Sequence, residues 1–317
     1  MQLFTPVALP PAPFRLTPVS RVLTLGSCFA QHIGQHIAAA LPDGHALVNP
    51  FGPLYAPQVI AHHLRLLLDT APLPDATYFE GVEGMWHNRW FSTHVSSAEF
   101  ATCRRLTTDA LSAARDLLRR ADVLVLTLGT DRCYRLPDGR LVANCHKQPA
   151  ATFTEHAADV ETLTSDLRHA LDSLRALRPE LQVVWTVSPY RYAKYGLHAS
   201  QLAKARLLLA VDALCATDER SVYFPAYELL LDELRDYRYY ARDLLHPSDT
   251  AVELIGERFA DWCFAPALHT FARERARLLR AHQHRPLHPE SDAHRAFRAK
   301  LRHEAELFKA KWGFSPF

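Results

Sequence analysis

Residues 21–42 read RVLTLGSCFAQHIGQHIAAALP, and this stretch decides the fold. Its first six positions form a short apolar run suited to a buried strand. Gly26 and Ser27 break the run. From Cys28 onward, apolar residues recur at spacings of three and four, the pattern of an amphipathic helix. Ser27 therefore stands where a strand gives way to a helix. Two readings of it stay open: a helix N-cap, a common place for serine, or a functional group, because open α/β sheets gather ligands outside the carboxyl ends of their strands.

Working outward, similar runs recur at 45–50 (HALVNP), 122–128 (DVLVLTL), 182–188 (QVVWTVS) and 221–224 (SVYF). Helical patterns fill the intervals at 28–41, 57–70, 99–120, 154–178, 198–217 and 248–264. Parallel strands need crossovers long enough to hold such helices, so the alternation predicts an α/β, three-layer, doubly wound parallel sheet. Residues 1–20 carry five prolines and read as an extended arm. The main domain is expected over 21–265.

Residues 266–317, which hold 11 Lys and Arg against 5 Asp and Glu, read as a basic C-terminal helical extension. Phe297, Leu301, Ala305, Phe308 and Trp312 fall on one helical face there. That face suits docking on the domain, with a dimer contact (a homo-oligomer) or an acidic partner as alternatives. Residues 71–98 form a long non-periodic insertion of a kind that often covers a site. Trp86, His87 and Trp90 within it are candidates either for that cover or for core packing.

The 317 residues are 48% hydrophobic and carry a formal charge of +2. Such a chain can bury a large core and has no global field favouring nucleic acid or an anionic membrane. No charged segment followed by an apolar one opens the sequence, and no apolar stretch approaches the roughly 20 residues needed to span a bilayer. A cytoplasmic protein is expected, with no nucleic-acid or membrane partner. Six scattered cysteines lack the close pairs of zinc sites and read as reduced thiols.

GSCFA at 26–30 is followed by NPFG (49–52), LGT (128–130), ANCHK (143–147), TVSP (186–189), YFPAYE (223–228), DELRDYRYY (232–240) and DLLHPS (243–248). On these blocks, in this order, the chain resembles the GSCFA family, a branch of the SGNH (GDSL-like) hydrolases. The resemblance covers about residues 21–255. It implies a flavodoxin-like SGNH fold in which the serine after the first strand is the nucleophile and a late Asp-x-x-His supplies its partners. Those roles fall on Ser27, Asp243 and His246.

The chemistry needs such a set, because a serine hydroxyl is a weak nucleophile until an imidazole accepts its proton and a carboxylate holds that imidazole. A spacing of three lets Asp243 and His246 meet across one turn. Attack on an ester would build charge on the carbonyl oxygen, which calls for preorganised donors. The backbone of Ser27 or Cys28 at the helix start is one source. Gly52 occupies the place of the SGNH oxyanion glycine, or is a plain turn glycine.

The third SGNH donor is an Asn in a Gly-x-Asn-Asp block, whereas this chain reads Gly129, Thr130, Asp131. Thr130 and Asn144 are the candidate replacements, and an ionised Asp131 would oppose an oxyanion. Cys28 is a rival nucleophile, since a thiol at a helix N-terminus can have a lowered pKa. Arg191 and His146 are candidate substrate-binding groups, Arg191 for a carboxylate or phosphate. Cys145 and His146 are awkward as joint metal ligands, because adjacent side chains of an extended segment diverge. No metal or cofactor is expected. The substrate expected is a small-molecule ester, with hydrolysis and transfer to an acyl-acceptor alcohol both open.

Overall fold

The structure is a computed structural model and describes residues 5–317. Its centre is a five-stranded, all-parallel sheet built from β1 (Val22–Gly26), β2 (Ala46–Val48), β3 (Val123–Leu128), β4 (Gln182–Val187) and β5 (Ser221–Tyr223). The order across the sheet is β5-β4-β3-β1-β2, the flavodoxin-like arrangement, with its switch point between β1 and its neighbours β2 and β3. All five sequence runs form these strands. They read as continuous apolar segments because both faces of the sheet are covered.

The longer helices are α1 (Cys28–Ala40), α2 (Pro57–Leu68), α3 (Phe100–Leu118), α4 (Val160–Leu177), α5 (Leu197–Cys215), α6 (Asp249–Cys263), α7 (Pro266–Gln283) and α8 (Asp292–Trp312). Alternate residues of each strand feed opposite cores. Leu23, Leu25, Leu124, Leu126, Val183 and Trp185 pack with α2 to α5, while Val22, Val123, Val125 and Val184 pack with α1, α6 and α7. This makes the three layers.

One expected helix is shorter than its pattern. Residues Thr154–Ala157 form a strand antiparallel to Arg132–Arg135, which also pairs with Leu141–Val142. Helix α4 starts only after Asp159, whose side chain accepts from Thr162 N. The strand's four ladder partners and this cap offset the helical preference of the segment. A second small hairpin, Tyr78–Glu80 with Trp86–Asn88, lies in the 71–98 insertion. There Trp86 packs on Phe100 and Trp90 on His62.

The arm is fixed by a bridge from Leu16 to Phe264 and by Trp262 Nε1 donating to Pro10 O at 2.6 Å. At the other terminus, α7 docks on α1 and α8 packs against α7. Arg275 is 5% exposed and its guanidinium donates to Leu41 O, Pro316 O and Asp43. Leu301 and Phe308 are buried as the sequence face requires, but Phe297 is 37% exposed. It meets His284 and His294 instead of the body, because α7 ends before the first turns of α8 have a partner.

Gly26 closes β1 with φ +142°, and a Cβ there would lie 2.3 Å from Thr127 O on β3. Neither the conformation nor the space suits any other residue. Gly26→Ala is expected to destabilise the fold on the order of 3 kcal/mol, read as a lowered urea midpoint. An unchanged midpoint would disprove the close approach.

Candidate active site

The tight exit from β1 delivers Ser27 to the carboxyl edge of the sheet. Ser27 N donates to Thr127 O at 3.1 Å, and its Oγ accepts from Phe29 N at 3.3 Å, capping α1. Its own carbonyl accepts from the buried Asn49 Nδ2 at 3.2 Å, so the NPFG block braces the Ser27 turn. Ser27 is only 1% exposed, yet it borders a pocket of about 340 Å³ shared with Cys28, Tyr55, Thr130, Arg132, Asn144, Tyr190 and His246.

Asp243 and His246 meet as the spacing implies. His246 Nδ1 lies 2.5 Å from Asp243 Oδ2, and both side chains are nearly half exposed, at 46% and 45%. Asp243 also accepts on Oδ1 from His246 N at 3.0 Å and Leu245 N at 2.9 Å. These donors, the His246 backbone N–H first and then its ring, hold the Asp243 carboxyl well below the usual carboxylate range. Between them Leu244 sits at φ +58°, a strained value for leucine, which the two carboxylate contacts offset. The His246 ring lies against Tyr190, with centroids 4.2 Å apart, and Arg191 N donates to Leu245 O. With Nδ1 bound to the carboxylate, Nε2 is the nitrogen left for a substrate proton.

The other expected residues divide. Thr130 and Asn144 both line the pocket. Asn144 Oδ1 accepts from Thr93 Oγ1 at 3.1 Å and His146 N at 2.8 Å, which leaves its NH₂ free as a donor. Asp131 is not among the lining residues. It is fully buried and its Oδ2 lies 2.6 Å from Arg206 Nη1, so the feared charge is paired outside the pocket. Ser27 N is committed to Thr127, whereas Cys28 N has no hydrogen-bond acceptor in any other described residue. The Cys28 thiol is pushed up by burial, contrary to the lowered pKa a rival nucleophile needs.

Three of the expected residues lie outside this pocket. Gly52 does not border the pocket: its N–H donates to Asn49 O at 2.8 Å, and at φ +74° its missing side chain makes room for Ser92. It is a turn and packing glycine. Arg191 borders a separate groove with Asp232, Tyr237 and Tyr240, since its side chain points away from Ser27 while its backbone holds the His246 loop. His146 is 2% exposed, lies beside His87 with ring centroids 4.6 Å apart, and contacts Thr93 Oγ1. Cys145 borders the pocket and His146 does not, so the two side chains part.

Sequence reasoning missed the tyrosine wall of Tyr55, Tyr134, Tyr190 and Tyr192. Only Tyr190, next to the TVSP block, carried a positional signal.

Burial pushes His146 and His62 each down to about 3, so both stay neutral in the fold at neutral pH. Unfolded, they take up protons near 6.5. The unfolded state therefore binds more protons below about 6.5, and stability is lost as pH falls from there towards 3. Each contributes a slope of about 1.4 kcal/mol per pH unit. Urea midpoints between pH 7 and 4 are expected to fall accordingly, with a visibly shallower slope in His146→Phe. An equal slope in that variant would refute the buried neutral state.

Among solved structures, the chain is similar to an acetyl esterase mutant with acetate ion (9% identity, 80% of this chain and 99% of that one, TM-score 0.38). It is also similar to a family 3 carbohydrate esterase from Talaromyces cellulolyticus (10%, 80% and 99%, TM-score 0.36). A third is an active-site mutant of a family two carbohydrate esterase from Clostridium thermocellum (14%, 78% and 64%, TM-score 0.34). No curated protein matches the chain in sequence. The sequence model of the GSCFA family matches residues 21–259, from the first strand through most of α6 and including every block quoted above, and the chain belongs to the GSCFA family.

Proposed function

We propose that the protein is an SGNH-type serine esterase or O-acyltransferase, acting on a small acyl group such as acetyl carried by a sugar-like or lipid-like alcohol. The observation that carries this reading is the convergence of Ser27, at the start of α1, and the Asp243–His246 pair on one pocket. In the reaction Ser27 Oγ attacks the acyl carbon while His246 Nε2 takes the hydroxyl proton. The alcohol then leaves with that proton. Water or a second alcohol attacks the acyl-enzyme through the same base, so hydrolysis and transfer share one intermediate. Asp243 keeps Nδ1–H oriented and stabilises the imidazolium.

The oxyanion would be met by Cys28 N–H and one of two side chains, Thr130 Oγ1 or the Asn144 NH₂. The pocket volume of about 340 Å³ suits a small acyl group together with part of its alcohol. The solved structures resembling this chain carry esterase names.

A second reading, a binding module that keeps the pocket without turnover, is favoured by one observation. Ser27 Oγ caps Phe29 N and makes no hydrogen bond to His246.

A fluorophosphonate probe separates the two. Labelling of Ser27 located by mass spectrometry is expected for the enzyme, and none for the binding module. Ser27→Ala should abolish hydrolysis of acetate esters with the circular dichroism unchanged, whereas Cys28→Ala, which keeps the backbone N–H, retains most of it. Asp243→Asn should cost turnover about 10⁴-fold, through the wrong tautomer.

The third donor is identified by two variants. If Asn144 serves, Asn144→Ala lowers the chemical step about 100- to 1000-fold and Thr130→Val does little; if Thr130 serves, the ranking inverts. In either case KM moves less than kcat, because the donor is aimed at charge that exists in the transition state. Rates for both variants within about threefold of wild type would leave the hole incomplete and count against catalysis by this route.

A further inference from the structure

Helix α5 carries a lysine that the reaction above does not use. Lys204 is 1% exposed, and no carboxylate lies within ion-pair distance of it. Its Nζ donates to two backbone carbonyls, Gly129 O at 2.7 Å and Ser188 O at 2.8 Å. Burying an ammonium without a counter-ion is costly, so a chain that merely needed to fill this space would be better served by methionine or leucine.

The two carbonyls belong to the turns that leave β3 and β4, and both turns border the pocket. The first turn is held from the other side as well, since Gly129 N and Thr130 N both donate to Tyr55 O. With N–H groups tied to Tyr55 and the carbonyl tied to Lys204, the aim of Thr130 is fixed. The second turn continues to Tyr190, on which the His246 ring rests, and to Arg191, whose N–H holds Leu245 O. One ammonium thus joins the turn bearing a candidate oxyanion donor to the turn supporting the base. It also draws two carbonyl dipoles towards α5 and away from the oxyanion's side.

We propose that Lys204 is the positioning residue of this site, holding the β3 and β4 exit turns in the catalytic arrangement only while its ammonium is charged. This rests on the esterase reading above. The groups facing Nζ are Cys28 at the start of α1, Asp131 after β3, Arg191 after β4 and the Tyr227 ring, 5.9 Å away. Burial depresses Lys204 to about 7. The Cys28 thiol and the Tyr55, Tyr190 and Tyr227 phenols are all pushed up by burial. A loss of activity as pH rises through the neutral range therefore has Lys204 as its source among these groups.

The test measures kcat and KM against pH with 4-nitrophenyl acetate for wild type, Lys204→Met and Lys204→Arg. Wild-type kcat should decline as pH rises above about 7. Lys204→Met should lose about 100-fold in kcat, with KM changed less than about threefold. Lys204→Arg should recover part of kcat and show no alkaline decline up to pH 10, since guanidinium keeps its proton. Wild-type rates in Lys204→Met, or the same decline persisting in Lys204→Arg, would overturn the proposal. If Lys204→Met does not fold, the Arg profile decides.

Amide hydrogen exchange separates this from failure of the esterase reading. In a Ser27→Ala background, which needs no turnover, adding Lys204→Met should speed exchange at Gly129, Thr130, Ser188 and Arg191 by about tenfold or more. Unchanged exchange there sinks the positioning role, whereas faster exchange in that double variant together with a wild-type protein that hydrolyses nothing sinks only the esterase reading.

Discussion

The approach of Gly26 to the Thr127 backbone is the constraint on which the site depends. Two parallel strands run side by side, and at the end of β1 the chain must turn sharply into α1 while β3 continues one residue beyond. There is room for no side chain at Gly26. The turn so formed puts Ser27 N on Thr127 O and starts the helix at Cys28, so one unsatisfied N–H of the helix start is left beside the serine. Candidate nucleophile and candidate donor therefore come from one steric fact about neighbouring strands.

The proposed partners of Ser27 are held differently. Asp243 and His246 lie in a turn far along the chain, nearly half exposed, and packing alone would not fix them. The turn is instead closed on itself, with the Asp243 carboxylate taking two backbone N–H groups and the imidazole at once. Its outer contacts, the Tyr190 ring and Arg191 N–H, come from the exit of β4. A rigid sheet thus carries a self-braced turn, and the exactness of the dyad owes more to hydrogen bonds than to burial. Solvent screens such an exposed pair, so its worth lies in orientation and little in stability.

Much of this was legible in the chain. All five strands were, because a strand buried on both faces must be apolar throughout and stands out between polar turns. The segment 154–157 was misassigned because its pairing with Arg132–Arg135 is non-local, and helical periodicity over 160–177 extends backward without a visible stop until Asp159 is recognised as the cap. That Ser27, Asp243 and His246 would come together at one place was legible through spacing and family blocks. The places of Gly52, Arg191 and His146 were not, for a shared reason: sequence names the residue at a strand end, but not whether its N–H is already spent or which way its side chain turns. Lys204 was invisible for the opposite reason, since a lysine in an amphipathic helix ordinarily reaches water.

Charge placement around the pocket explains how an aspartate can follow Thr130 at its edge. An aspartate directly after Thr130 looks hostile to a developing oxyanion when read as a string. In the fold, the peptide turns between the two residues, Asp131 goes under the surface to Arg206, and Arg132 alone presents a full charge at the pocket among these three positions. The aspartate is then better described as the anchor that aims Arg132 and α5 towards each other, with Arg132 Nε 3.9 Å from its second oxygen. Lys204 lies two residues before Arg206 on that helix, so the ion pair that removes the hostile charge also seats the helix carrying the buried ammonium. The aspartate and the lysine thus meet on one helix, α5, which carries both the partner of Asp131 and the ammonium bonded to the exit turns of β3 and β4.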